Sequence, residues 1–171
     1  MSGVDQVNAV AFNLLFMQVA FKALEDSKTE DEHDHEAAFY RIEQLGYQVG
    51  QRLVERLLAQ TQVSRLPEQI DVVKFLCKEF WMVAFGKGID NLKTNHRGVF
   101  VLQDQNFQWI SRFSVDGSNP ATAKMAVLYL AFPCGMLRGA LANMGIVTTV
   151  TAEIPSFPQC VFQIRTQSAA Q

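Results

Sequence analysis

The sequence predicts an α+β fold, in which a twisted antiparallel sheet of about four strands is covered on one face by a layer of helices. Two observations lead to this prediction. Residues 4–25, 35–61, 67–87 and 120–144 carry apolar side chains at helical spacing, whereas residues 89–113 are rich in β-branched and aromatic residues. Helices and strands therefore occupy separate stretches of the chain. That segregation is typical of helices packed on one face of an antiparallel sheet.

Length and composition bound the class of protein. The chain has 171 residues, of which 49% are hydrophobic and 19% charged, so we expect a single globular domain over residues 1–171 with a frayed tail at 166–171. A net charge of −2 does not predict nucleic-acid binding. Three cysteines without a CxxC pair argue against a disulfide framework or a structural zinc site. We also expect no signal peptide and no apolar run of the roughly 18 residues that cross a bilayer.

The first predicted helix, over residues 4–25, carries two apolar arcs where an ordinary surface helix carries one. Gln18 and Lys22 lie on its narrow polar side. Two arcs predict two partners, namely the core of the chain and a second surface. The alternative is that both arcs are buried inside one monomer. The candidate protein-interaction residues are one arc of this helix, with two leucines from the next helix: Val10, Leu14, Met17, Phe21, Leu53 and Leu57.

A second helix is predicted over residues 35–61. Its apolar face follows helical spacing through Phe39, Ile42, Leu45, Val49, Leu53 and Leu57. Gly46 and Gly50 lie inside it, one turn apart. Because each glycine costs about 1 kcal/mol relative to alanine in a helix interior, the pair predicts the close approach of another backbone.

Two further helices are bounded by proline and glycine. One is predicted over about residues 67–87, with Gly86 and Gly88 as its stop, and the other over residues 120–144, with an expected kink at Pro133 and an end at Gly145. The predicted core face of the former is Val72, Leu76, Phe80 and Val83.

The predicted strands form two groups. Residues 89–94 and 98–104 form a hairpin around residues 95–98, and residues 107–113 are a candidate third strand before a loop at 115–119. Residues 147–154 and 159–165 form a second hairpin, joined by residues 155–158.

An acidic segment over residues 25–36 holds seven of the 17 acidic residues and one of the 15 basic ones, for a charge of −6. Ten acidic and 14 basic residues remain elsewhere, a charge of +4. Such a run is typical of a solvated, mobile loop. His33 and His35 stand there among carboxylates, but a mobile loop offers no preformed geometry for a cation, so we expect no metal site.

Other residue types that carry chemistry have structural interpretations. His96 lies at a predicted turn, and Cys77, Cys134 and Cys160 stand among apolar residues, as buried and unreactive thiols do. Residues 135–141 lack the lysine of a phosphate-binding loop. Arg138, in an otherwise apolar helix, requires a carboxylate or carbonyl partner, for which Glu55, Glu79 and Glu153 are candidates. The sequence contains no recognised catalytic motif, so we predict neither an enzyme nor a cofactor.

Four segments carry a resemblance to a known family: residues 46–55 (GYQVGQRLVE), 71–104, 129–142 (YLAFPCGMLRGALA) and 150–164 (VTAEIPSFPQCVFQI). Together they resemble subunit 6 of the transport protein particle (TRAPP) complex, which has the BET-three-like fold. The resemblance covers nearly all of residues 40–165. Its most specific part is DNLKTNHRGVFVLQD, over residues 90–104.

The resemblance implies a non-catalytic subunit that forms a heterodimer with an acylated paralogous subunit inside a larger particle with other TRAPP subunits. That particle promotes nucleotide exchange on Rab-family GTPases and tethers vesicles in ER-to-Golgi and Golgi traffic. The expected location is the cytoplasm, peripheral to those membranes. In the acylated paralogue a cysteine follows an arginine between the second and third helices. Here Leu66 follows Arg65, so no thioester can form at that position.

An alternative function stays open at this point. Thirteen phenylalanines and the helix that contains Pro133 could line an apolar pocket, which would make the chain a module that binds a small molecule or an acyl chain.

Overall fold

The computed structural model describes residues 15, 18, 22, 32–61, 66–95, 97–111 and 120–167. The helical elements are α1 (Glu32–Thr61), α2 (Gln69–Phe75), a π-helical turn (Leu76–Phe80), α3 (Trp81–Phe85) and α4 (Pro120–Asn143). The strands are β1 (Asn91–Thr94), β2 (Val99–Asp104), β3 (Thr148–Ser156) and β4 (Gln159–Thr166). The α+β prediction is confirmed.

The four strands form one antiparallel sheet in the order β1-β2-β4-β3. Leu102 of β2 lies opposite Phe162 of β4, and Val150 of β3 lies opposite Ile164 of β4. Burial alternates along the two central strands. Because successive side chains of a strand point to opposite faces, this alternation places one face of the sheet against the helices. The residues of the central strands on that face are Phe100, Leu102, Asp104, Cys160, Phe162 and Ile164.

The candidate third strand at residues 107–113 was wrong over its described part, because residues 107–111 form turns. The amides of Ile110 and Ser111 both donate to the carbonyl of Phe107, each at 3.1 Å. Phe107 and Ile110 are fully buried, a spacing of three that a strand could not bury on one face. The Phe107 ring centroid lies 5.1 Å from that of Phe85 and 5.4 Å from that of Phe162. Aromatic packing therefore takes the place of strand pairing here.

The second hairpin is longer than predicted. β3 continues through Pro155, and the connecting turn contains only Phe157 and Pro158, joined by a cis peptide bond. Proline is tolerated in β3 because this strand lies at the edge of the sheet, where a missing N–H costs no ladder bond.

The predicted third helix is interrupted by the π-helical turn. A π turn contains more residues than an α turn, so it rotates the residues that follow it about the helix axis. Val72, Leu76 and Phe80 are buried as predicted, but Val83 is 55% exposed. Trp81 and Phe85 are buried in its place, so the prediction for Val83 was wrong. Gly86 ends the helix with a φ of 78°.

The start of α1 corrects the interpretation of the acidic segment. Residues 32–36 are helical rather than part of a loop, which places His33 and His35 on a helix, while residues 25–31 lie outside the described part. In the described ranges no group of three or more His, Cys, Asp or Glu residues could hold a metal ion.

Helix α4 matches its predicted range within one residue and is continuous through Pro133, whose expected kink stays a prediction. One window of it, Ala126–Asn143, has the length and hydropathy of a membrane-crossing helix, which the sequence-based expectation missed. In the fold 78% of that window is buried, as in the central helix of a protein core.

Helices α1 and α4 run parallel and in backbone contact. A Cβ added to Gly46 would collide with the carbonyl of Phe132, and one added to Gly50 with that of Met136. The contacts are reciprocal, since Gly135 and Gly139 of α4 lie against the carbonyls of Glu43 and Tyr47. The predicted close approach of another backbone is confirmed.

Candidate functional site

The long helix α1 presents an exposed apolar row on its flank. Leu45 is 49% exposed and Val49 is 43% exposed, and they lie one turn apart on the same face. Leu53 follows one turn later and is half-buried against the core. We call Leu45, Val49 and Leu53 the α1 stripe.

The sequence predicted one apolar face on this helix, from Phe39 to Leu57. The structure divides that face, because Leu45 and Val49 are exposed whereas Ile42 and Leu57 are buried. The face that contacts α4 is the glycine face, with Ala38, Ile42 and Val54 buried beside Gly46 and Gly50. Backbones in contact leave no room for a leucine on the same line, so the stripe is turned to one side. The signal that could have revealed this in the sequence is the four-residue spacing of the two glycines.

Arginines border the α1 stripe. Arg41 lies one turn before Leu45, and Arg52 and Arg56 lie three residues after Val49 and Leu53. All three are exposed, and none forms an ion pair among the residues that the structure describes.

The carboxylates on the same stretch of α1 contact side chains of α4 and do not pair with these arginines. Between Arg41 and Thr61 the helix contains two of them, Glu43 and Glu55. Glu43 pairs with Arg138, and Glu55 accepts a hydrogen bond from the Asn143 side chain at 2.8 Å. Asn143 is neutral, so Glu55 keeps its charge, but three arginines outnumber this one carboxylate and the surface around the α1 stripe is basic.

The six residues predicted for protein interaction have different places in the structure. Val10, Leu14, Met17 and Phe21 lie outside the described residues, so their role stays a prediction. Leu53 belongs to the α1 stripe. The Leu57 side chain is 5% exposed and packs in the core, which leaves it little surface for a partner.

Three residues of the first predicted helix are described. Leu15, Gln18 and Lys22 are helical and exposed, with Leu15 69% exposed. The exposure of Gln18 and Lys22 agrees with the polar side assigned to them from the sequence.

Arg138 holds α4 against α1, through a partner that the sequence did not indicate. Its Nε lies 2.8 Å from Oε1 of Glu43, and its guanidinium carbon lies 4.7 Å from the centroid of the Tyr47 ring. The buried Nε and Nη2 make no aligned hydrogen bond within the described chain, so the contact is an ion pair supported by a cation–π interaction.

The partner of Arg138 is not one of the three carboxylates predicted from the sequence, which were Glu55, Glu79 and Glu153. Glu43 is the partner because the parallel glycine contact places it beside Gly135, one turn from Arg138.

A second polar cluster holds β2 to α3. The fully buried Asp104 accepts hydrogen bonds from Trp81 Nε1 at 3.0 Å, from Lys87 Nζ at 2.9 Å and from the amide of Asn106 at 3.0 Å. Lys87 also donates to Asp90 at 2.6 Å. That hydrogen bond lowers the pKa of Asp90. Burial lowers the pKa of Lys87, but its hydrogen bonds to the two aspartates outweigh burial and raise it.

These groups satisfy one another, so the cluster is a structural one. The β1–β2 turn is closed in a similar way, by Asn95, whose side chain accepts from the amides of Arg97 and Val99. His96 lies outside the described residues.

All three cysteines of the chain are buried, as predicted. Burial raises the pKa of Cys77 and of Cys160 to about 12 and also raises that of Cys134. Because the thiolate is the reactive form, these thiols are poor nucleophiles at neutral pH. Leu66 packs against the core, partly buried, and has no nucleophile. The chain therefore offers no accessible cysteine for covalent attachment of an acyl group.

Comparisons with known proteins agree with the fold and with the resemblance. A family model described as "Transport protein particle (TRAPP) component" matches residues 12–167. The human trafficking protein particle complex subunit 6B is 41% identical over 141 residues, which cover 82% of this chain and 86% of that protein. The human subunit 6A is 44% identical over 123 residues, covering 72% and 74%.

Among solved structures, this fold is similar to that of trafficking protein particle complex subunit 3 from Naegleria fowleri, covalently bound to palmitic acid. The TM-score is 0.75 at 17% identity, and the match covers 97% of this chain and 99% of that one. At this identity the likeness concerns the fold alone.

Proposed function

The chain belongs to the TRAPP component family, in its subunit 6 branch, and on this premise we propose that it acts as a non-catalytic assembly subunit that pairs with an acylated paralogous subunit. The pair would be built into a particle that promotes nucleotide exchange on a Rab-family GTPase and tethers vesicles in ER-to-Golgi and Golgi traffic. The chain would reach those membranes from the cytoplasm, peripherally, through the complex. The resemblance in sequence supports these finer steps.

The observation that carries the pairing proposal is the exposed α1 stripe. The opposite side of α1 is held in backbone contact with α4, so α1 cannot rotate to bury Leu45 and Val49 inside the monomer. A surface that covers both side chains removes apolar area from water and stabilises the complex.

The α1 stripe is too small to account for a stable dimer by itself. Each of its two exposed side chains is already about half buried, so covering the rest contributes about 1 kcal/mol per residue. Association costs an estimated 4–15 kcal/mol, so the interface must recruit more apolar surface. We propose that the arc of Val10, Leu14, Met17 and Phe21 supplies it.

Co-purification of the full chain with the acylated paralogue tests the proposal, with size exclusion and light scattering as the readout. We expect the wild-type chain to form a one-to-one complex and Val49→Asp to stay single, because a buried, unpaired carboxylate is costly. Val83→Asp is the matched control, since Val83 is a valine of similar exposure on a different helix, α3. A wild-type chain that remains a monomer in the presence of the paralogue would contradict the proposal.

A second set of variants separates the two parts of the proposed interface. Leu14→Asp and Phe21→Asp place the same charge in the arc of the first predicted helix. We expect each to abolish pairing and to leave the chain folded. If both variants pair normally while Val49→Asp does not, the interface is on α1 without that arc.

The alternative function is non-covalent binding of an acyl chain or another small apolar molecule. It is supported by the likeness of this fold to a subunit 3 that is covalently bound to palmitic acid. With Leu66 at the position of the acylated cysteine and the cysteines buried, any such ligand would be held by packing alone. Native mass spectrometry of the purified chain distinguishes the two functions. A lipid-sized added mass that is lost on unfolding favours the alternative, and a clean mass of the chain counts against it.

A further inference from the structure

We propose that the surface that covers the α1 stripe carries carboxylates opposite Arg52 and Arg56, so that charge selects the partner subunit at this interface. The inference rests on the proposed function and specifies the chemistry of the partner. The occupant is a folded protein surface that is apolar at its centre and acidic at its border.

The charges around the α1 stripe are unbalanced. Arg52 and Arg56 are one helical turn apart, both are exposed, and like charges at this spacing repel. Glu55 is the carboxylate three residues after Arg52, but it accepts the hydrogen bond from Asn143 of α4. A partner carboxylate would relieve this repulsion, and the contact would be stronger once the partner excludes water from it.

A second copy of this chain is a poorer occupant. In a pair of identical surfaces, each α1 stripe contributes its own three arginines. In each copy Glu43 is paired with Arg138, and Glu55 accepts a hydrogen bond from Asn143. Self-pairing through this face would therefore bring six arginines together, with only the two Glu55 carboxylates of this part of α1 to balance them.

A membrane surface is also less suited to the α1 stripe. Helices that lie in the bilayer interface bury a broad apolar face, commonly with aromatic residues. The stripe consists of three aliphatic side chains, of which Leu53 is half-buried in the protein. Its opposite side is fixed against α4, so the helix cannot sink further into a bilayer.

The test compares two charge-reversed forms of the full chain. Arg52→Glu with Arg56→Glu alters the border of the stripe. Arg97→Glu with Arg165→Glu makes the same change in net charge at two exposed positions on the sheet side of the molecule. Circular dichroism and thermal melting check that both variants fold. Binding to the acylated paralogue is then measured by calorimetry at low and at high salt.

We expect the stripe variant to bind the paralogue about tenfold or more weakly and to lose the salt dependence that the wild-type chain shows. The control should stay within about twofold of the wild type. If Val49→Asp abolishes binding while the stripe variant binds normally, the pairing function stands and this inference is overturned. If none of these variants differs from the wild type, the proposed interface itself is wrong.

Two further measurements do not depend on the paralogue. An equimolar mixture of the wild-type chain with the stripe variant should form mixed dimers more readily than either protein alone. A mixture that associates no more than its components counts against charge selection. Vesicles of 20% phosphatidylserine in phosphatidylcholine are the second probe. Binding of the wild-type chain that the stripe variant loses would assign the arginines to a lipid surface and overturn the inference.

Discussion

Arg138 of α4 pairs with Glu43 of α1 at 2.8 Å, directly beside the glycine contact that joins the two helices. The pair is largely buried, with 28% of the arginine side chain and 15% of the glutamate side chain exposed. It stabilises the side of α1 that packs on the protein's own core, while Leu45 and Val49 of the α1 stripe stay exposed.

Removing the charge of Glu43 should destabilise the monomer. Glu43→Gln leaves the Arg138 guanidinium without its counterion, and we expect the free energy of unfolding to fall by about 1–3 kcal/mol. Glu153→Gln, at an exposed carboxylate on β3, is the control and should change it by less than about 0.5 kcal/mol. Urea denaturation measures both. Equal stability of the two variants would show that the ion pair contributes nothing.

Adding a methyl group at the helix contact should also destabilise the fold. Gly50→Ala gains about 1 kcal/mol of helix propensity, but its Cβ would collide with the backbone of Met136, which cannot move aside as a flexible side chain can. We expect a net loss of about 2 kcal/mol or more. Gly88→Ala is the matched control, because its nearest neighbour would be 3.9 Å away. A stabilised Gly50→Ala would mean that the helices can separate at little cost.

Alanine substitutions on α1 should show, through their effect on the free energy of unfolding, which leucines belong to the core and which to the proposed interface. Leu57→Ala removes a core side chain and should cost about 2–4 kcal/mol, whereas Leu45→Ala, at a half-exposed side chain, should cost about 1 kcal/mol or less. Thermal melting of the two monomers checks the contrast. Similar losses at both positions would place Leu45 in the monomer core and remove it from the proposed interface.

The Lys87 cluster should make stability depend on acid. The pKa of Asp90 is lowered in the folded chain, so its contribution is present above the unfolded pKa of about 4 and is lost as the pH falls through the folded value. Lys87→Met should lower stability at pH 7 by about 2–3 kcal/mol, because it leaves the buried Asp104 unpaired. Below about pH 4 the difference from the wild type should shrink. Lys93→Met, on exposed β1, is the control, and a constant difference from pH 7 to pH 3 would contradict the argument.

Thiol labelling should show that the native chain cannot be acylated on cysteine. We expect a thiol reagent at pH 8 to label none of the three cysteines in the folded protein and all three in denaturant, since burial raises each pKa and limits access. Leu66→Cys should add one site that reacts in the native state, because residue 66 is only partly buried. Rapid labelling of the native, unmutated chain would contradict this prediction and show that a cysteine is accessible for covalent acylation.

The amino-acid sequence by itself determined the elements whose signals are local. Hydrophobic period, proline and glycine placed α1, α4 and both hairpins within a few residues, and the pair Gly46 and Gly50 indicated a backbone contact before its partner helix was known. The family segments in turn identified the subunit 6 branch.

Only the tertiary structure decided those features that depend on which elements pack against each other. A period of 3.6 residues shows that α1 has an apolar side, but the closest approach of α4 selects which apolar line is buried, so Leu57 packs in the core while Leu45 and Val49 stay outside. The π turn shifted the buried face from Val83 to Phe85, because one unusual turn rotates everything after it. Arg138 pairs with Glu43, 95 positions away in the sequence, because the contact between the two helix backbones brings together side chains that are far apart along the chain.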